Sequence, residues 1–211
     1  MVPGPATDAA LLIAAYFLGC FSTGYYLTRL VKGKDIRDVG SGSTGSRNVS
    51  RTLGAWGFTV VFVIDVAKGV AAVWMAGLYG TSPWVTYAVL PAVVVGHIWP
   101  VQLSFRGGKG LATALGGVVI LDPHLLCFGS VLCGLFLLFW RNLIRSGLTA
   151  VLLAPAWYLV PVLFRNQQFT PVRPLPHILA VAAVCALVLV AHRENIREDF
   201  FGPRPTPENS H

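Results

Sequence analysis

Apolar stretches separated by short polar loops follow one another along most of this chain of 211 residues. Seven stretches are apolar enough for membrane helices, and they cover roughly 9–30, 56–79, 84–104, 111–121, 124–140, 147–164 and 176–191. A helix needs about 20 residues to cross the hydrocarbon core of a bilayer. The fourth stretch reaches only about 16 Å at 1.5 Å per residue. The pattern predicts an all-α polytopic membrane protein with seven transmembrane helices, of which the fourth is short.

Basic residues are concentrated in alternate loops, which indicates the orientation of the spans. With seven spans and the N-terminus outside, thirteen Lys and Arg residues lie in inner loops and two in outer loops. If the fourth stretch is instead re-entrant, the split is ten to five. Because positive residues accumulate in cytoplasmic loops, we favour seven spans with a cytoplasmic C-terminus. The loop before the fourth stretch is then expected to dip into the membrane.

The composition excludes a soluble domain and a disordered chain. Hydrophobic residues make up 55% and charged residues 12%, whereas a soluble domain carries about 25% charged residues. The net charge of +7 is explained by the inner loops and by anionic substrates, without nucleic acid. We expect one integral membrane domain over 1–200 and a disordered tail over 201–211.

Motif one is rich in glycine and hydroxyl groups and lies in the first predicted inner loop. It reads Gly40-Ser41-Gly42-Ser43-Thr44-Gly45-Ser46-Arg47-Asn48 and is followed by Arg51. Glycines let backbone N–H groups approach an anion, and arginines supply charge. The G-x-G-x-x-G spacing does not indicate a dinucleotide fold, because no strand precedes it. The alternative to an anion site is a flexible loop.

Motifs two and three lie in two other predicted inner loops. Motif two runs from Gly96-His97 through Arg106-Gly107-Gly108-Lys109-Gly110 to Thr113, and motif three is His192-Arg193-Glu194-Asn195-Ile196-Arg197. A glycine loop that opens into a helix presents free N–H groups to a phosphate, and a lysine adds charge. His192 and Asn195 are three residues apart and are expected to share a helical face. The alternatives are a tight turn with interfacial anchors for motif two and a helix cap for His192.

Asp65 and Lys68 are the charged residues of the second apolar stretch. Their spacing of three residues predicts an ion pair on one helix face that points into the bundle. We expect this pair to have a structural role.

The three motifs in this order resemble the bacterial acyl-phosphate:glycerol-3-phosphate acyltransferase family, usually called PlsY. The resemblance implies a seven-span enzyme of the bacterial cell (inner) membrane with a cytoplasmic site. It also implies that the 1-hydroxyl of glycerol 3-phosphate attacks a long-chain acyl phosphate, giving lysophosphatidate and phosphate, the first step of phospholipid synthesis. An acyl phosphate is already an activated anhydride, so we expect no metal and no cofactor. Expected partners are the two substrates and membrane lipids; the oligomeric state is left open.

The resemblance also implies roles for individual residues. Those implied to be catalytic are Ser41, Arg51, His192 and Asn195. Those implied to bind substrate are Gly42, Ser43, Gly45, Asn48, His97, Gly107, Gly108, Lys109 and Thr113. Either His192 or the phosphate of a substrate could accept the proton of the attacking hydroxyl.

The chain departs from the family pattern at two places. Ser43 to Asn48 replaces the usual Asn-x-Gly-Ala-Thr-Asn, which introduces Arg47, and Arg204 stands where the family has a tail glutamate. The acyl donor therefore stays open, and one alternative is a divergent acyltransferase that uses a thioester. A second alternative is a membrane anion or lipid-phosphate transporter, which would need a polar path across the spans.

Overall fold

The computed structural model describes residues 4–160 and 173–202, and within these ranges the secondary structure is helical, without strands. The α-helices are α1 Pro5–Cys20, α2 Thr23–Lys32, α3 Ser46–Tyr79, α4 Pro83–Ile98, α5 Leu111–Leu121, α6 Pro123–Trp140, α7 Leu143–Leu153, α8 Leu175–Ala191 and α9 Arg193–Phe201. Short 3₁₀ helices cover Ile36–Asp38, Val101–Leu103 and Ala154–Leu159. The predicted disordered tail begins too early, because Phe201 still belongs to α9; its residues 203–211 and the end of the sixth stretch, 161–164, lie outside the described residues.

All seven apolar stretches contain helices, but several boundaries differ from the prediction. The first stretch is divided at Phe21 and Ser22 into α1 and α2. The second is extended at its start, because α3 begins at Ser46 and continues through a kink at Gly54, whose φ is +70°. The third ends as an α-helix at Ile98. Glycine adopts the positive φ at this kink without strain, so the helical segment can extend through the kink back to Ser46.

Four helical stretches, two of which contain a short break, are long and apolar enough to cross a membrane: Pro5–Lys32, Ser46–Tyr79, Pro83–Leu103 and Pro123–Trp140. The pair α8 and α9 together forms a fifth candidate, bent by 66°. The apolar helices Leu111–Leu121 and Leu143–Leu159 are shorter. The all-α membrane fold is therefore confirmed, and the seven crossings stay a prediction.

Glycines allow two pairs of long helices to pack with their backbones in contact. A Cβ on Gly96 of α4 would overlap the carbonyl oxygen of Tyr16 in α1. A Cβ on Gly116 of α5 would overlap the carbonyl oxygen of Val66 in α3. Small residues at such crossings increase the van der Waals contact that holds membrane helices together. The glycines thereby bring α4 against α1 and α5 against α3.

The helix ends lie at two opposite ends of the bundle. The end at which α3, α5 and α9 begin carries all three motifs, and we term it the motif end. The other, which we term the far end, has a groove of about 410 Å³. The groove is lined by residues from the ends of α3 and α5 and the starts of α4 and α8, among them Leu78, Ile120, Thr86 and His177. The short α5 therefore runs from the motif end to the far end.

Candidate functional site: an anion site at the motif end

Motif one forms a loop whose shape is fixed by Asn48. The Asn48 amide nitrogen lies 3.0, 2.8 and 2.9 Å from the carbonyl oxygens of Ile36, Val39 and Ser43, respectively. Its side-chain oxygen accepts a hydrogen bond from the backbone N–H of Ser41 at 3.0 Å. Asn48 is buried, and both its amide nitrogen and its side-chain oxygen form hydrogen bonds within the protein. It is therefore placed to hold the loop, while the Ser41 residue itself is exposed.

Arg51 lies over the same loop. Gly40 and Gly42 have φ values of +58° and +68°, which glycine adopts without strain. The guanidinium group of Arg51 lies so close to Gly40 that a Cβ there would collide with it. Arg51 is nevertheless exposed, so its charge is available beside the loop that carries the Ser41 hydroxyl. Ser43 is buried and accepts a hydrogen bond from the backbone N–H of Gly45, the N-cap of α3, at 3.2 Å.

Motif two folds back onto the end of α4. The backbone N–H groups of Gly107 and Gly108 donate to the carbonyl oxygens of Ile98 and His97 at 3.1 and 3.0 Å. These two amides therefore satisfy the last carbonyls of α4 and do not point at an anion, which corrects the reason for which the sequence singled them out. The free amides of motif two are instead those of the first turn of α5, which have no partner within the helix. Glycine is still required, because a Cβ at Gly107 or Gly108 would collide with His97.

Thr113 lies inside the bundle and not on the loop surface of motif two. It stands in the first turn of α5 and is fully buried against α3, where a Cβ on Gly69 would overlap its carbonyl oxygen. Its hydroxyl has no hydrogen-bond partner within the described ranges.

Motif three is brought to motif two by a bend in the chain. α8 ends at Ala191, His192 is the residue at the break, and Asn195 lies in the first turn of α9. The expected shared face of one continuous helix is therefore replaced by two helices at 66°. Asn195 still reaches the site, because its side-chain oxygen accepts a hydrogen bond from Nζ of Lys109.

His192 is held in one orientation by its own helix. Its Nδ1 lies 2.8 Å from the carbonyl oxygen of Val188. A carbonyl oxygen only accepts, so we infer that Nδ1 carries the ring proton and that Nε2 keeps its lone pair. His192 is buried, and its neutral ring can accept a proton at Nε2.

Contacts and charges join the three motifs into one site. The backbone N–H of Thr44 donates to the carbonyl oxygen of Gly107 at 3.3 Å, which links motif one to motif two. Burial lowers the pKa of Lys109; nearby Glu194 and Glu198 oppose this, and Arg47 and Arg51 lower it further. Motif three reaches the same ammonium group, because the side-chain oxygen of Asn195 accepts a hydrogen bond from Nζ of Lys109.

Three helix N-termini add positive potential at the same place. α3, α5 and α9 begin at Ser46, Leu111 and Arg193, within or directly after the three motifs. A helix N-terminus carries roughly half a positive charge and unpaired N–H groups. Together with Lys109 and the arginines of motif one, this arrangement favours polyanions.

Arg37 also supports the site, although the sequence did not indicate it as a site residue. Arg37 pairs with Asp35 at 2.6 Å and also donates to the carbonyl oxygen of Leu103 at 3.0 Å, which ties the motif-one segment to the motif-two loop. The Asp35-x-Arg37 spacing could have revealed the ion pair, but nothing in the sequence pointed to Leu103. Thr44 is buried without a partner for its hydroxyl in the described part of the chain.

The predicted pair of Asp65 and Lys68 is confirmed. Nζ of Lys68 lies 2.9 Å from Oδ1 of Asp65, and both side chains are buried inside the bundle. They lie on α3 beneath motif two, next to His97.

The chain was compared with known protein families and structures. A family model described as glycerol-3-phosphate acyltransferase matches residues 9–202. Glycerol-3-phosphate acyltransferase 1 of Desulfitobacterium hafniense (strain Y51) is 40% identical over 194 residues, covering 90% of both chains. The glycerol-3-phosphate acyltransferase of Rubrobacter xylanophilus is 38% identical over 190 residues, again covering 90% of both chains.

Two solved structures of the integral membrane glycerol 3-phosphate acyltransferase PlsY (YgiH) are similar to this fold. The glycerol 3-phosphate form has a TM-score of 0.78 and 33% sequence identity, and covers 92% of both chains. The lysophosphatidic acid form has a TM-score of 0.74 and 31% identity, with the same coverage. With the matching family model and the close relatives, these findings show that the chain belongs to the glycerol-3-phosphate acyltransferase family and is an integral membrane protein of the PlsY type.

Proposed function

We propose that this protein transfers a fatty acyl group from an acyl phosphate to the 1-hydroxyl of glycerol 3-phosphate. The observation that carries the proposal is that hydrogen bonds join motif one to motif two at Gly107 and motif two to motif three at Lys109, at an end where three helices begin. Such a site can hold two phosphorylated substrates together, although their charges repel. Membership of the family supplies the acceptor, and the compact loops around the site favour a small leaving group.

The residues divide into two substrate sites. The first turn of α5 and Lys109 bind the phosphate of glycerol 3-phosphate. Ser41 and Arg51 bind the acyl phosphate and stabilise the oxyanion that develops on its carbonyl. Asn195 orients Lys109, and Asn48 holds the loop that carries Ser41.

The reaction forms one ester bond and breaks one anhydride bond. The 1-hydroxyl oxygen attacks the acyl carbon, and inorganic phosphate leaves with the electron pair of the cleaved carbon–oxygen bond. The hydroxyl proton passes to Nε2 of His192 or to a substrate phosphate. His192 supports the first route because the carbonyl oxygen of Val188 holds the ring proton on Nδ1.

The donor is tested by parallel assays of the purified protein with labelled glycerol 3-phosphate. Palmitoyl phosphate is expected to give lysophosphatidate and phosphate, whereas palmitoyl-CoA and palmitoyl carrier protein are expected to give none. Transfer from a thioester without transfer from the acyl phosphate would overturn the donor assignment and leave the acyltransferase class standing. No transfer from any donor would overturn the proposed function.

A further inference from the structure

Inside the bundle, the Lys68 ammonium group is surrounded by acceptors from three helices. Besides Asp65, Nζ of Lys68 lies 3.3 and 3.1 Å from the carbonyl oxygens of Gly19 and Phe21. It also lies 2.7 Å from Nδ1 of His97. Lys68, Asp65 and His97 are each less than 5% exposed, so solvent does not compete for these hydrogen bonds.

This surrounding determines which nitrogen of His97 carries the proton. An ammonium group has three N–H donors and no acceptor. The contact with Nδ1 of His97 is the shortest of the four, at 2.7 Å, so we infer that Nδ1 accepts from Lys68 and that Nε2 carries the ring proton. Asp65 compensates the charge of Lys68 and accepts from it, which favours the ammonium form in this buried place.

The opposite edge of the same imidazole lies against motif two. A Cβ on Gly108 would overlap Nε2 of His97, so the ring edge packs directly on the Gly108 backbone. The main chain of His97 also holds the loop, because its carbonyl oxygen accepts from the N–H of Gly108 at 3.0 Å. The ring and the main chain of His97 thus fix the segment that leads into Lys109 and α5.

We propose that Asp65 and Lys68 are positioning residues for the glycerol 3-phosphate site and act through His97. They hold the imidazole as the Nε2–H tautomer, with Nε2 against Gly108, and so fix the segment that carries Lys109 to the phosphate of glycerol 3-phosphate. This role rests on the proposed function, and it assigns the positioning of Lys109 to a pair that was expected to be structural.

A double-mutant cycle tests whether the pair acts through His97. Lys68→Met alone would leave a buried carboxylate without its cation, so Asp65→Asn and Lys68→Met are made together. In the protein that keeps His97, this double variant is expected to raise the KM for glycerol 3-phosphate roughly tenfold, with a smaller fall in kcat. Glutamine at position 97 places an N–H donor near the Nε2 position. Because an amide has no tautomers, this donor is present whether or not Lys68 is there. In the His97→Gln background the same change is therefore expected to alter KM less than about twofold.

His97→Asn serves as the second arm, because its amide lies near the Nδ1 position and leaves Nε2 unreplaced. It is expected to raise KM as much as the Asp65→Asn/Lys68→Met variant does. An equal KM rise with His97 present and in the His97→Gln background, or normal KM in His97→Asn, would overturn the proposal.

A matched control is available at the far end, where Asp122 is fully buried and pairs with Arg173 at 3.2 Å. Asp122→Asn/Arg173→Met removes an ion pair with a buried carboxylate and a partly exposed guanidinium group, at a place remote from the motifs. It is expected to lower the thermal midpoint without changing KM. A KM rise equal to that of the Asp65→Asn/Lys68→Met variant would show a general loss of stability and overturn the positioning role.

The tautomer is measured independently of activity by ¹⁵N NMR of histidine-labelled protein, with His97→Gln identifying the signal. The expected spectrum has an unprotonated Nδ1 and a protonated Nε2, and the Asp65→Asn/Lys68→Met variant is expected to lose that pattern. A protonated Nδ1 in the wild type would overturn the proposal. If the wild type transfers no acyl group, the proposed function fails, while the NMR result still decides the tautomer.

Discussion

Single residues of motif one provide the most direct test of the proposed acyl phosphate site. Ser41→Ala and Arg51→Ala are each expected to lower kcat/KM by roughly a hundredfold or more, because each removes a group that stabilises negative charge. Ser50→Ala and Arg29→Ala are matched controls, since within the described residues Ser50 donates to the carbonyl of Arg47 and Arg29 to the Tyr25 hydroxyl, each inside its own helix. The rates are compared at equal amounts of folded protein. Near-normal rates in both site variants would remove this loop from the site.

Lys109 gives a prediction about pH. Burial lowers the pKa of its ammonium group below that of a free lysine. As the pH rises through a lowered pKa, the lysine loses its charge earlier than an exposed lysine does, and the phosphate site weakens. We therefore expect the KM for glycerol 3-phosphate to rise at a lower pH than the titration of an exposed lysine would give, as initial rates at several glycerol 3-phosphate concentrations would show.

Lys109→Arg is the matching variant, because a guanidinium group stays charged over this range. It is expected to have a higher KM at neutral pH but a flat KM up to about pH 10. The same alkaline rise in both proteins would assign the titration to another group.

At the scale of the elements, the glycine contacts between helices determine how closely the bundle packs. Gly116→Ala is expected to destabilise the protein by about 1–3 kcal/mol, since the methyl group would press on the backbone of α3. Gly129→Ala is the control, because a Cβ at Gly129 in α6 meets nothing within 4 Å. Thermal unfolding in detergent measures both. Equal midpoints would mean that α3 and α5 are not in close contact.

The elements also show what a sequence can and cannot predict. The apolar stretches were predictable because a bilayer demands long hydrophobic helices, and 111–121 coincides with Leu111–Leu121. The extension of α3 back to Ser46 was not, because motif one is polar and its glycines resemble a loop. The bend at His192 was also missed, since residues 192–197 have an ordinary helical spacing.

The candidate site was predictable in its members but not in its internal contacts. Glycines and basic residues in three loops indicated anion binding, and the structure brings these loops together at Lys109. The donation of the Gly107 and Gly108 amides to α4 was not visible, because hydrogen bonds between distant backbone groups leave no mark on residue type. The same holds for the contact of Lys68 with His97, which are 29 residues apart.

At the scale of the whole molecule, we propose that the motif end faces the cytoplasm and that the N-terminus lies outside, in the inner membrane of a bacterium. The alternating loop charges support this orientation. The proposed seven spans require the turn at Ser82 and the loop at Arg106 to lie on opposite sides.

Cysteine labelling tests that orientation in a variant without the native cysteines. A membrane-impermeant maleimide added to intact cells is expected to label Ser82→Cys, and to label Arg106→Cys only after the cells are opened. Both residues lie in turns between helices, and Arg106 is exposed. Labelling of Arg106→Cys in intact cells would place the motif end outside.

The pairing of Asp65 with Lys68 within one helix also affects how the protein is made. A lone charge inside a membrane helix costs about 2.5–3.5 kcal/mol at insertion, whereas two opposite charges one turn apart neutralise each other before any neighbouring helix arrives. The segment 46–79 can thus insert into the bilayer alone, before the other helices pack around it. In a translocation assay of this segment, Lys68→Met is expected to insert less efficiently than the Asp65→Asn/Lys68→Met pair, although it carries fewer changes. The ion pair that is buried in the folded protein would then also assist the insertion of this helix during biosynthesis.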